Sequence, residues 1–232
     1  MTRRYLALDI ETAKLPDGDW RSCRPLGISC AATFLADSRE PVLWHGGDRT
    51  HPANRMSREE TAELVGYLTT QVEQGRTVVT WNGVGFDFDV LAEESGLLET
   101  CRVLALGHVD MMFHVLCRLG HGVSLDAAAR GMGLDGKPKG MNGKLAPALW
   151  AEEKREEVLR YVGQDVRTTL ELARVCESRG ELRWVARSGK VRCMTLGEGW
   201  LTVEVALRLP LPDTSWMDEP WPRERFTGWT DG

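Results

Sequence analysis

Apolar and polar positions along the chain alternate first with the period of a strand, then of a helix, then of a strand again. Residues 4–10, 26–35 and 41–46 read as three strands joined by the turns LPDGDW and ADSREP. A helix follows: Ser57 and Glu60 have capping-box spacing, and Leu64, Val65, Leu68 and Val72 form an apolar stripe up to Gly75. Thr77 to Trp81 is β-branched and aromatic, a fourth strand, and Asn82-Gly83 turns it into a helix that begins at Phe86 or Asp87. From Leu97 to Gly120 the period is helical, interrupted at Gly107 and His108, with Val109-Asp110 as a short fifth strand. Ser124 caps a further helix, and Gly133 to Lys144 is a glycine-rich, lysine-bearing loop, a candidate mobile segment. The longest helix is expected over 151–179, with Val158, Val162, Val166, Leu170 and Ala173 as its core stripe.

After Gly180 the period returns to two. Residues 182–187, 190–196 and 200–209 are expected as three strands, the last with Leu201, Val203, Val205, Leu207 and Leu209 in clean alternation. The tail holds Pro210, Pro212, Pro220 and Pro222 with Trp216, Trp221 and Trp229, which suits an extended arm. The expected organisation is an α/β domain over 1–180, a small antiparallel β appendage over 181–209 and a Pro/Trp-rich arm over 210–232.

Composition changes this picture little. No apolar run approaches the roughly 20 residues that span a bilayer, and the N-terminus lacks a signal-peptide pattern, so the expectation is a cytoplasmic protein without membrane contact. Six dispersed cysteines without a C-x-x-C pair argue against a zinc knuckle or a disulfide framework. The net charge of −5 (29 basic, 34 acidic residues) argues against tight non-specific duplex binding.

Four acids qualify that charge. Asp9 and Glu11, at i and i+2, leave the first strand on one side, and two carboxylates held so close call for a cation between them. Oxygen-only donors suit hard divalent ions. Asp87 follows the Asn82-Gly83 turn, with Asp89 competing for the same role, and Asp165 shares a helix face with Tyr161 four residues earlier. Two divalent cations would bring −5 to about −1.

In order, Asp9-Ile10-Glu11, Asn82-Gly83-Val84-Gly85-Phe86-Asp87 and Tyr161-Val162-Gly163-Gln164-Asp165 resemble the three motifs of the DEDD 3′ to 5′ exonucleases, tyrosine subclass. Within that superfamily the chain is most similar to stand-alone relatives of the exonuclease domain of B-family DNA polymerases. The resemblance covers residues 3–178 and implies a ribonuclease H-like mixed sheet flanked by helices. It implies metal ligation of Mg²⁺ or Mn²⁺ by Asp9, Glu11, Asp87 and Asp165, with two cations in the site and Tyr161 orienting the nucleophile. It also implies that Thr12 and Ala13 line the terminal nucleotide through backbone groups.

Further candidates for substrate contact are Asn82, for which turn chemistry is the alternative, Phe86, and Lys137, Lys139 and Lys144 toward phosphates. Trp81, Phe86, Phe88 and Trp150 are available for stacking, and Asp110 is a supporting acid. The implied activity is hydrolysis at a single-stranded or frayed 3′ end that releases nucleoside 5′-monophosphates, DNA placed ahead of RNA. The alternatives are an RNA-trimming enzyme and a non-catalytic nucleic-acid-binding scaffold of the same fold. The basic appendage (Arg183, Trp184, Arg187, Lys190, Arg192) and the Trp-rich arm suit either a substrate platform or contact with a protein partner or a second copy, and the sequence does not choose.

Overall fold

In a computed structural model the protein is described over residues 3–15, 19–48, 51–135 and 143–231. Strands β1 (Tyr5–Thr12), β2 (Ile28–Leu35) and β3 (Val42–His45) precede helix α1 (Arg58–Glu73). Strand β4 (Thr77–Thr80) leads to α2 (Asp87–Ser95) and α3 (Leu98–Gly107), and β5 (Val109–Asp110) to α4 (Met111–Leu119), α5 (Leu125–Met132), α6 (Ala146–Ala151) and α7 (Arg155–Arg179). A hairpin of β6 (Glu181–Val185) and β7 (Val191–Thr195) and the short helices α8 (Val203–Leu207) and α9 (Glu224–Thr227) complete the chain.

The main sheet has the order β3-β2-β1-β4-β5. β1 lies at its centre, antiparallel to β2 and parallel to β4, so it is buried on both faces and reads as a near-continuous apolar run. Its even residues Leu6, Leu8 and Ile10 enter a core with Leu64 and Leu68 of α1, Val90 and Leu91 of α2 and Phe113 of α4. Its odd residues Tyr5 and Ala7 enter a second core with Val158, Val162 and Val166 of α7. The result is the expected α/β architecture: a mixed sheet between helical layers, plus a separate two-stranded sheet.

Local chemistry sets several boundaries where the sequence places them. Ser57 and Glu60 close the capping box of α1, and Ser124 caps α5. Val72, the last member of the α1 stripe, is exposed.

Other expectations are corrected. The long helix starts at Arg155 rather than 151, because Glu153 takes a left-handed φ of 60° and breaks the chain between α6 and α7. The stretch 200–209 holds helix α8 (Val203–Leu207) instead of a third appendage strand. Val203 and Ala206, three apart, are the buried pair, Val205 faces solvent, and Arg208 pairs with Glu204 one turn back. An alternating run that also satisfies i, i+3 spacing is decided by what it packs on, here α3 and α4.

The tail is extended only as far as about residue 222. α9 and a 3-10 turn at Gly228–Thr230 then fold back, placing Phe226 in the first core and the Trp229 indole N–H on the Val84 carbonyl at 2.7 Å. Among the described residues no helix is long and apolar enough to cross a membrane.

Candidate active site

The alternation of β1 carries the first two acids. Asp9 and Glu11 continue the odd face begun by Tyr5 and Ala7, the face covered by α7. On α7, Tyr161 and Asp165 are both buried among Val158, Val162 and Val166, so the same packing that docks the helix turns them toward β1. The Tyr161 phenol is pushed far above its ordinary range, first by burial and then by the charges of Asp165, Glu11 and Asp9 and a hydrogen bond with Asp165. Two elements distant in sequence thus set three carboxylates around one neutral phenol.

Asp87 arrives differently. The parallel ladder between β1 and β4 ends at Ala7 and Val79, and β4 itself ends at Thr80. β1 runs on to Thr12, and beyond the ladder the Ile10 N–H donates to Asp87 Oδ1 at 3.1 Å. A carboxylate at the first residue of α2 therefore takes up a strand amide and is fixed beside Asp9 and Glu11 in the chain. Asp87 is 4% exposed, and its pKa rises to about 7, through burial first and the charge of Asp110 second.

The turn before Asp87 is built by glycines and by Asp110. A Cβ on Gly83 would stand 2.3 Å from Thr80 Oγ1, which itself accepts the Gly83 N–H at 3.0 Å, and Asn82 has a left-handed φ of 77°. Asp110 Oδ1 accepts the N–H groups of Asn82 at 3.0 Å and Phe113 at 2.9 Å, and its Oδ2 accepts that of Val84 at 2.9 Å. Burial raises Asp110 to about 6 despite these bonds. Asp110 is therefore a brace that ties the turn to the start of α4. Its signal in the sequence is an acid directly after the apolar Val109 of a two-residue strand, and its partners are visible only in three dimensions.

Asp89 does not share the role of Asp87. It is buried against Arg24, with Arg21 Nε at 4.0 Å from its other oxygen. Arg21 lies within a 3-10 turn at Trp20–Cys23 and Arg24 caps its end, and Trp20 from that turn meets the Phe86 ring edge-on at 5.0 Å. The Asn82 Oδ1 atom is buried without a hydrogen-bond partner.

The remaining candidates divide. Thr12 is buried, with its hydroxyl on the Lys14 carbonyl at 2.9 Å, and the Ala13 N–H is taken by Gly27 O at 3.0 Å. Phe88 and Trp150 are core residues, whereas Trp81 and Phe86 are partly exposed. Lys144 is exposed next to Gly143, where a Cβ would lie 3.7 Å from Glu11 Oε2. Lys137 and Lys139 lie outside the described residues.

Among the described residues no three or more His, Cys, Asp or Glu side chains form a ready metal cage. The donor set nonetheless fits Mg²⁺ or Mn²⁺ in kind: the acids are hard oxygen donors, and such ions are ordinarily held by one or two carboxylates with waters and substrate phosphates completing the shell. A softer ion would want nitrogen or sulfur donors, and the Cys30 thiol near Glu11 and Asp9 is buried and held well above its ordinary pKa, by burial first and then by those carboxylates, so it offers no thiolate.

The family model described as RNase_H superfamily matches residues 42–176, a stretch that holds Asp87, Tyr161 and Asp165 and begins after Asp9 and Glu11. Among solved structures, the family B DNA polymerase of the hyperthermophilic archaeon Pyrobaculum calidifontis aligns over 76% of this chain at 22% identity with a TM-score of 0.52. The aligned part is 25% of that polymerase. A product-bound exonuclease I aligns over 90% of this chain and 66% of its own at 12% identity, with a TM-score of 0.39. No curated protein matches the chain.

Proposed function

The chain belongs to the RNase_H superfamily, and we propose that within it the protein is a metal-dependent 3′ to 5′ exonuclease acting on single-stranded or frayed DNA. The observation that carries the reading is the meeting of Asp9 and Glu11 from β1 with Tyr161 and Asp165 from α7, beside an Asp87 anchored on the β1 backbone. Four acids on three separate elements beside one strand end suit a metal-dependent hydrolase better than a scaffold, which has no need of them.

Asp9, Glu11, Asp87 and Asp165 would hold one or two Mg²⁺ or Mn²⁺ ions, whose chemistry is to polarise the scissile phosphate and neutralise the charge that develops on it. Around them the chain positions the reactants. The Ile10 N–H fixes Asp87 Oδ1 against the β1 backbone. Tyr161, held neutral by burial and three negative neighbours, cannot serve as a charged base; it offers one hydroxyl to orient the attacking water. Phe86, adjacent to Asp87 and partly exposed, presents an apolar edge to the terminal base. DNA is placed ahead of RNA on the resemblance to stand-alone relatives of the B-family polymerase exonuclease domain, carried by the Gly-rich stretch 133–144 followed by the helix of Tyr161, and a cytoplasmic location belongs to the same proposal.

The test is digestion of matched 5′-labelled DNA and RNA oligonucleotides by the wild type and by Asp9→Ala, with Mg²⁺ or with EDTA. A ladder shortening from the 3′ end is expected for the wild type with metal, and a loss of at least about 100-fold for Asp9→Ala. Activity in EDTA, full activity of the variant, or release of the labelled 5′ nucleotide would overturn the reading. The RNA arm decides the sugar.

A further inference from the structure

A cleft of about 850 Å³ opens beside the turn that carries Asn82 and Gly85. One wall is the 3-10 turn with Trp20 and Arg21; another is the β6–β7 hairpin with Arg187; a third is the C-terminal arm with Trp221 and Arg225. Its size is that of a ligand cleft rather than a packing fault. Residues 184–187 and 221–226 lie outside the stretch that the RNase_H superfamily model matches.

The cleft differs from the protein around it. The chain carries −5, yet three arginines and one aspartate line this space, a local balance of +2. Aromatic faces alternate with those arginines: Arg21 lies over the Trp20 ring at 4.6 Å and Arg225 over Trp221 at 5.9 Å. Two large apolar side chains on the arm are left in water at its edge. Trp221 is 42% exposed, and Trp216, 67% exposed, meets the cleft residue His121 edge-on at 6.1 Å. Exposed tryptophans interleaved with arginines are what a single strand needs, since every base has a face to stack and every linkage a charge to neutralise.

Continuity with the acids completes the argument. Phe226 of α9 packs against Gly85, where a Cβ would stand 2.5 Å from its ring, and Gly85 is two residues before Asp87. We infer that this cleft is the binding track for the nucleotides behind the 3′ terminus, formed jointly by the hairpin and the Trp-rich arm, with single-stranded nucleic acid as its occupant. This rests on the exonuclease reading of the acids and extends it to the segments beyond the family match.

Binding of a 5′-fluorescein (dT)16 strand to the full-length chain, followed by anisotropy in EDTA over a range of NaCl, tests the track without catalysis. Trp221→Ala should weaken binding about 5- to 100-fold, with Trp221→Phe recovering most of it. Arg187→Ala and Arg225→Ala should each lower the log–log salt slope by about 0.7. Arg174→Ala, in a separate groove lined with Phe34 and Arg167, should bind as the wild type does, and thermal unfolding of each variant establishes that it is folded.

Wild-type-like binding by the Trp221 and arginine variants, equal loss in Trp221→Phe and Trp221→Ala, or no binding by the wild type would overturn the inference. A wild type that digests the strand with Mg²⁺ while the cleft variants bind normally refutes the track alone. Binding through the cleft with no metal-dependent digestion refutes the exonuclease reading alone.

Discussion

Arg223 holds the C-terminal arm with an unusual partner set, and replacing it by alanine tests how the arm is fixed. The residue is 8% exposed, and its guanidinium donates to four main-chain carbonyls: Leu207 at 3.0 Å, Leu209 and Pro210 at 2.8 Å, and Cys117 at 3.0 Å. Cys117 lies in the last turns of α4, whose C-terminal dipole favours the positive charge. Hydrogen bonds from charged donors contribute about 1.5–3 kcal/mol each when buried. Only the Cys117 bond is fully buried; the other three carbonyls are partly exposed and regain water once the side chain is gone.

Counting about 2 kcal/mol for the buried bond and about 1 for each of the others, then subtracting about 2 for no longer taking a guanidinium charge out of water, leaves a cost of about 3 kcal/mol. Urea unfolding followed by circular dichroism should report that loss for Arg223→Ala. Arg223→Lys should lose roughly half as much, because an ammonium reaches fewer carbonyls than the planar fork. Limited proteolysis should cut the alanine variant between residues 208 and 222 under conditions where the wild type is intact. A loss below about 1 kcal/mol, or an arm that stays resistant in the destabilised variant, would refute the assignment of Arg223 as its anchor.

Asp110→Asn puts an amide NH₂ against at least one of the Asn82, Val84 and Phe113 N–H groups. It should cost about 1–3 kcal/mol in urea unfolding and reduce kcat by displacing the turn that carries Asp87. Tyr161→Phe keeps the ring and removes the hydroxyl; single-turnover digestion should slow about 100-fold with strand affinity in EDTA within twofold of the wild type. His114 is buried with its pKa lowered to about 4, through burial first and then Arg118, and its Nδ1 accepts the Leu201 N–H at 3.3 Å. Below the unfolded value near 6.5 the unfolded chain takes up a proton that the folded chain refuses, so this stability is present above pH 6.5 and lost as pH falls toward 4. Between pH 7 and 5 the wild type should lose about 2 kcal/mol more than His114→Gln in urea titrations.

What could be read from the sequence was what neighbouring residues decide. The β1 pattern, the Ser57 to Glu60 box and the Val158 to Ala173 stripe are statements about a few residues on one element, and each element forms where its pattern lies. The acids were legible as types on elements, and their approach to Tyr161 follows from two separate faces, each readable alone. What escaped depends on distant partners. Whether residues 200–209 became a strand or a helix was settled by α3 and α4, because Leu201 to Leu209 satisfies both periods. Asp110 and Arg223 act on backbone N–H and carbonyl groups, which every residue carries and no pattern marks. The Trp-rich tail has no period, so its fold-back through Phe226 and Trp229 had no local sign.

The docking of α7 on the odd face of β1 also sets the order in which the protein can come into being. Asp9 and Asp165 stand at opposite ends of the sheet domain's sequence, so the site closes one of the longest loops the chain contains, and contacts of that separation form late in folding. During synthesis the strand that bears Asp9 and Glu11 is made long before the helix that completes its surroundings. A chain stopped at α6 would contain three of the four acids and lack the helix that brings Tyr161 and Asp165 to them.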